Sequence, residues 1–277
     1  RDGGDRLENL EKMINAVEET QKRGLNRAEH RLHLRCELPH HTTLPLFEKL
    51  VGREPVSLVS LMDHSPGQRQ FANIEKYREY YQGKYSLSDA EMARYEEEQL
   101  ALAAQWSQPN RLSIAAMCRD RNIALASHDD ATHDHVRESH QLGSVIAEFP
   151  TTFEAAEASR KHGMNVLMGA PNIVRGGSHS GNVAASKLAS LGLLDILSSD
   201  YYPASLLDAA FRVADDEGNS FTLPQAIRLV TKNPASALNL HDRGEIAEGK
   251  RADLVLAHRK GEHVHIDHVW RQGKRVF

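Results

Sequence analysis

Cysteine is nearly missing from this chain: Cys36 and Cys118 are the only two in 277 residues. Two distant thiols offer no disulfide framework and suit a reducing compartment, so a cytoplasmic location is expected. Long apolar runs are lacking too. No stretch approaches the roughly 18 residues that a membrane span needs, so no membrane partner is expected. Charge of one sign is not in excess, with 34 Lys and Arg against 38 Asp and Glu. Without a global basic field, nucleic-acid binding through overall charge is not expected, and an anionic ligand would need a local basic pocket. The opening RDGGDRLENLEK has no signal-peptide core and no initiator Met. It starts on what reads as a helix cap, Asp5 with Glu8 as its capping box, so the chain is expected to begin inside a longer gene product.

What is present is alternation of strands and helices. Residues 6–22 carry apolar positions at helical spacing, ended by Gly24. RLHLRCEL (31–38), PVSLVSLM (55–62), NIALAS (122–127), SVIAEF (144–149), MNVLM (164–168) and LLDILSS (193–199) read as six strands. Helical patterns separate them: 42–50, then a charged, Tyr-rich insert at 71–119 with breaks near Gly83 and Pro109, then 132–141, 151–162 and 182–191. Helices at 203–216 and 223–231 follow. Such an order implies an α/β fold with a parallel sheet. The tail 251–277 gives only short strands and reads as a small β-structure beside it.

Each strand ends in polar residues: Glu37, His64, His128, Glu148, the 169–182 loop and Asp200. In a (β/α)8 barrel the C-terminal strand ends form the active site. Polar residues can simply mark where strands stop, but a Glu-His-His-Asp set at four separate strand ends exceeds that explanation. Carboxylates and imidazoles are the usual ligands of zinc and similar ions in hydrolases. Asp200, after the last strand, is placed to orient a water and take its proton.

The stretch SHDDATHDH (127–135) is the densest cluster of polar groups. His128 ends a strand and is expected as a ligand. Asp129 is expected to support an imidazole from behind. Asp130 or Thr132 should cap the following helix. His133 and His135 lie two residues apart and cannot share a helix face, so one at most reaches the site, His133 being preferred.

TKNPASALNL (231–240) followed by GEIAEGKRADLVL (244–256) resembles the C-terminal signature of the amidohydrolase superfamily. HLRCEL, LMDHSPGQRQF, ASHDDAT, MGAPNIVRGGSHSGN and SSDYYP resemble one member of it throughout. That member converts a ribose 5-triphosphate, bearing an alkylphosphonate at its anomeric carbon, to the 5-phosphate and pyrophosphate during phosphonate use by the carbon–phosphorus lyase pathway. The resemblance implies a TIM-type amidohydrolase barrel over 1–240, lacking its first strands, and the C-terminal part of a small β-sandwich over 241–277. It implies one or two divalent ions, zinc being expected. Glu37 would be the bridging carboxylate, His64 and His128 would be ligands, and Asp200 the general base and a ligand.

Two departures stand out. No H-x-H or H-x-D motif precedes Glu37, and if Asp200 closes strand 8 the first strand here is strand 3. Two unpaired sheet edges are then expected, with low stability or weak activity for the chain alone. The count also puts His64 after strand 4 and His128 after strand 5, where the superfamily takes its two histidines from strands 5 and 6.

A triphosphate needs cations and backbone N–H donors. Loop 169–182 supplies Arg175, Gly176, Gly177, Ser178 and His179 just before a helix, and a helix N-terminus favours anions. Arg69 and, less directly, Arg35 are further candidates. The tyrosines of the insert are expected to pack it, Cys36 to be a buried thiol, and the tail histidines 258, 263, 265 and 268 to lie on the surface. The triphosphorylated ribose is the expected small-molecule partner; self-association and contacts within a pathway complex stay open. Two other readings remain beside it: a cyclic amidase or deacetylase on the same scaffold, and a non-catalytic fragment or binding subunit.

Overall fold

Alternation along the strands decides what each face of the sheet carries. In β1 (Leu32–Glu37), Leu34 and Cys36 are buried against helices, while Arg35 and Glu37 turn to the opposite face. The computed structural model describes residues 4–178, 181–261 and 263–277, with the backbone alone for residues 4–8. The expected Asp5–Glu8 capping box therefore lies outside the described side chains. After β1 come β2 (Val56–Met62), β3 (Ala124–His128), β4 (Ile146–Glu148), β5 (Asn165–Gly169) and β6 (Ile196–Ser198). All six pair in parallel, in sequential order.

Parallel neighbours need a crossover, and helices supply it. Helix α1 (Gly4–Lys22) precedes β1, and α2 (Thr43–Leu50) joins β1 to β2. The insert before β3 is a pair of helices, α3 (Ile74–Tyr85) and α4 (Asp89–Asp120). Helices α5 (His133–Gln141) and α6 (Phe153–Lys161) make the next two crossovers. Helices α7 (Ala170–Arg175) and α8 (Ala185–Ser190) lead from β5 to β6, and α9 (Ser205–Asp215), α10 (Leu223–Arg228) and α11 (Lys232–Ala237) follow. This is the succession of a TIM-type barrel. Among the described residues β1 and β6 each pair on one side only, so the sheet is open. Among them also, no helix is long and apolar enough to cross a membrane.

Two apolar clusters hold helices to the outer face. Ile14, Phe47, Leu50, Ile114 and Cys118 pack on Leu34, Cys36, Val59, Leu61 and Leu125. Leu188, Ala209, Val213 and Leu229 pack on Val166, Met168 and Leu197. On the inner face Ala126, Ile146, Leu167 and Ile196 form an apolar ring, closed from below by Ala237 and Leu238 beside α11. The next inward positions on β3, β4 and β6 are polar: His128, Glu148 and Ser198.

The insert breaks near Gly83 as expected, but not at Pro109. Gly83 stays within α3; the chain turns at Ser86, in left-handed conformation at φ 53°, and Ser88 caps α4 through a capping box with Glu91. Pro109 sits inside the continuous 32-residue α4. A proline there loses one helical hydrogen bond. The residues just after it anchor the helix instead: Asn110 Nδ2 donates to the carbonyls of Leu38 at 2.8 Å and His40 at 3.0 Å. Tyr77 is fully enclosed and packs on Phe71 and Tyr81, with ring centroids 5.1 and 4.6 Å away.

The tail forms an antiparallel sheet of β7 (Leu254–Lys260), β8 (His263–Arg271) and β9 (Lys274–Arg275). Gly244 explains the glycine that opens the GEIAEG turn. At φ 90° a Cβ there would stand 2.9 Å from Lys232 Cα and Ala235 Cβ, so the turn can close onto α11 only without a side chain.

Candidate metal centre and active-site mouth

Parallel order brings all strand C-termini to one rim. Glu37, His128 and Glu148 are the last residues of β1, β3 and β4, and His64 and Asp200 lie two residues beyond β2 and β6. His64, His128 and Asp129 each offer one ligand atom within 4.8 Å of the others. Asp129 Oδ2 lies 3.4 Å from His128 Nε2 and 3.7 Å from His64 Nε2. Asp129 reaches this position because its backbone is left-handed, at φ 56°. Phe149 at 57° and Asp200 at 47° share that conformation at neighbouring strand ends. Strain of this kind gathers where a fold over-determines a site.

The far nitrogen of each ring is held by a carboxylate. His64 Nδ1 is 2.6 Å from Glu37 Oε2, while the His64 backbone N–H donates to Glu37 Oε1 at 3.0 Å. His128 Nδ1 is 2.7 Å from Glu148 Oε2, and Ser60 Oγ donates to the same oxygen at 2.7 Å. His33 Nε2 bonds Ser60 in turn. Carboxylates placed so fix the tautomer and turn both Nε2 lone pairs toward one point.

Electrostatics follow this geometry. Burial raises the Glu148 carboxyl, but the hydrogen bond and charge of His128, with His33 and Ser60, bring it down to about 2. Burial lowers the His64 imidazole, yet the neighbouring carboxylates of Asp129 and Glu37 outweigh it and lift it to about 10. Two imidazole nitrogens and a carboxylate oxygen form a donor set that a zinc-like ion accepts. Arg35 Nη2 also points to this cluster, 3.2 Å from His128 Nε2.

Above the cluster lies a cavity of about 300 Å³. Arg35, His64, His128, Asp129, Gly177, Ser178 and Asp200 all line it. Gly169 closes one side and must be small: a Cβ there would stand 3.3 Å from Asp200 Oδ2. Arg175 Nη1 donates to Tyr201 Oη at 3.2 Å, at the rim.

Several sequence expectations change. Glu37 is not among the three clustered donors; it grips the back of His64, whereas Asp129, expected behind a ring, stands in front of two. Arg69 does not reach the cavity. It is 3 % exposed, and its guanidinium pairs with Asp130 and, at 3.0 Å, with Glu138. His133 faces outward, its Nε2 3.5 Å from Glu154. Thr132 caps α5 by accepting from His135 N, which leaves Asp130 for Arg69. The loop precedes a helix as expected, α8, though the glycine pair lies well ahead of its start at Ala185. Gly176, at φ 81°, is the C-cap of α7, a short helix within the segment expected as loop. His179 lies outside the described residues. The sequence marks Glu148 only as one of the polar strand ends, with no role of its own, and gives no signal for Gly169.

Residues 27–277 match the family model described as "Amidohydrolase family". The chain is 89% identical over 277 residues to the Alpha-D-ribose 1-methylphosphonate 5-triphosphate diphosphatase of Escherichia coli (strain K12), covering 100% of this chain and 73% of that protein. It is 34% identical over 125 residues to an adenine deaminase of Ligilactobacillus salivarius (strain UCC118), covering 42% of this chain and 21% of that protein. Among solved structures, an adenosine deaminase from Xanthomonas campestris with bound zinc aligns at a TM-score of 0.47 and 17% identity, over 83% of this chain and 54% of that one.

Proposed function

The chain belongs to the amidohydrolase family, and we propose that it hydrolyses α-D-ribose 1-methylphosphonate 5-triphosphate to the 5-phosphate and pyrophosphate with the help of a divalent cation. The observation that carries the substrate is the 89% identity, spread over the whole chain, to an enzyme named for that reaction. The clustering of His64, His128 and Asp129 supports the chemistry.

His64, His128 and Asp129 would hold the ion, with Glu37 and Glu148 orienting the rings. When bound, such a cation supplies Lewis-acid polarisation and makes nearby water more acidic. Asp200, across the cavity, accepts a proton from the attacking water. Water adds across the anhydride between the first and second phosphoryl groups. The bridging oxygen leaves with one phosphorus, and the oxygen of water stays on the other. Arg35 faces the cavity and offers a fixed positive charge to phosphoryl oxygens, and Gly177 and Ser178 also line it. Arg175 stands at the rim through its bond to Tyr201.

The test is product analysis. The metal-loaded protein should release pyrophosphate and the 5-phosphate in equal amounts. Stepwise release of orthophosphate, or ring opening or acetate release from amide substrates without pyrophosphate, would overturn this assignment.

A further inference from the structure

Five side chains, four of them buried, make a second charge array outside the cavity. Arg111 Nη2 donates to Asp63 Oδ2 at 3.1 Å, and its Nη1 to Glu138 Oε1 at 2.8 Å. Glu138 Oε2 accepts from Arg69 Nη2 at 3.0 Å, and Arg69 pairs with Asp130. The result is an unbroken chain, Asp63–Arg111–Glu138–Arg69–Asp130. Asp63, Arg111, Arg69 and Asp130 are 4%, 6%, 3% and 1% exposed. Neither arginine lines the cavity.

The two ends of this chain are adjacent in sequence to the cluster. Asp63 precedes His64, and Asp130 follows Asp129. The other oxygen of Asp63 accepts the Ser65 backbone N–H at 3.2 Å and the Ser65 hydroxyl, which closes the turn around His64. Arg69 and Asp129 both hold left-handed backbone, at φ 44° and 56°. Residues of this type stay there only when their surroundings over-determine them. Arg111 comes from the middle of α4 and Glu138 from α5, so two rigid helices brace two turns.

Stability is a weak reason for burying such an array, because desolvation of the charges offsets much of their attraction. We propose that the Asp63–Arg111–Glu138–Arg69–Asp130 chain is a positioning device that sets the separation of His64 and Asp129. The proposal rests on the metal-site reading above. None of the five touches the substrate cavity, so they act through the turns they hold. Arginine suits the task because its planar fork engages two acids at fixed angles, which lysine does not.

The experiment uses the full chain with Arg111→Met and Glu138→Gln. Arg160→Gln is the control, since it breaks another part-buried pair, with Asp195, away from the cluster. Zinc affinity of the metal-free protein is measured by chelator competition, together with Tm and the His64 ring resonances. Both test variants should bind zinc about tenfold more weakly, the low end for losing support behind a ligand, with His64 resonances displaced. The control should lose Tm and keep both. Arg111→Met could fail to fold; Glu138→Gln changes a side chain that is 35% exposed and still gives the answer. Unchanged affinity and resonances in the test variants, or equal losses in the control, overturn the proposal and leave the metal reading intact. If the unaltered chain binds no zinc while the test variants alone displace His64, the metal reading falls and the positioning role stands.

Discussion

His128 and Glu148 end adjacent strands directly opposite each other, and Nδ1 of one lies 2.7 Å from Oε2 of the other. The carboxylate is thus set by register, not by a mobile loop. It makes Nδ1 the protonated nitrogen and leaves Nε2 as acceptor for whatever fills the cluster. Glu148→Gln keeps the shape and removes the charge. Metal affinity should fall about 10–100-fold, the range for such partners, while the fold persists. Equilibrium dialysis with zinc checks this; undiminished affinity would mean that His128 needs no support.

Asp200 is exposed at the rim and makes no ion pair within the described residues. Asp200→Asn should therefore leave Tm within about 1–2 °C, as for surface changes of about 0.5 kcal/mol. Turnover should drop by roughly 10²–10⁴, the usual contribution of a general base. Steady-state pyrophosphate release and a melting curve together separate this role from a structural one.

Gly169 offers a finer probe of the same group. Its φ of −73° suits alanine, so Gly169→Ala introduces no backbone strain. The added methyl meets Asp200 Oδ2 at 3.3 Å and Asp200 Cβ at 3.5 Å. Asp200 must yield by a few tenths of an ångström, and kcat should fall about tenfold, since small misplacements near the chemistry are costly. KM should hardly move. A change confined to KM would show that the methyl blocks the substrate instead.

Acid should loosen the attachment of the tail. Burial raises the Glu29 carboxyl, but Arg251, Arg31 and Arg243 outweigh it and hold it down at about 2, against an ordinary value of 4.5. A carboxyl lowered by folding stabilises the native state fully above its unfolded value. That contribution fades as pH falls from about 4.5 toward about 2. Glu29→Gln should remove it, lowering Tm at pH 7 by about 2–4 °C, equivalent to ~1 kcal/mol. The difference from the unaltered chain should vanish near pH 2. A Tm gap independent of pH would refute this.

The sequence made the fold legible because strand and helix periods differ, and six apolar runs of strand length each ended in a polar residue. Parallel order then follows, and with it the rim on which Glu37, His64, His128 and Asp200 stand. The direction in which a side chain leans was not legible. Asp129 enters the cluster through a left-handed backbone that nothing in SHDDATHDH announces. Arg69 reads as an arm for phosphate until Asp130 and Glu138, far along the chain, are seen to occupy it. Pro109 reads as a break because its penalty is local, whereas the contacts of Asn110 and Arg111 that keep α4 whole are distant in sequence.

The left-handed backbone at Asp129 and Asp200 sets how this molecule can be improved. Glycine would sit more comfortably than aspartate at either position. A search for variants that withstand heat will therefore be drawn to the two carboxylates facing the cavity, and under the roles proposed for them each success there should be silent as a catalyst. Selection for hardiness and selection for turnover pull in opposite directions at these residues. Only a screen that demands both will keep the aspartates.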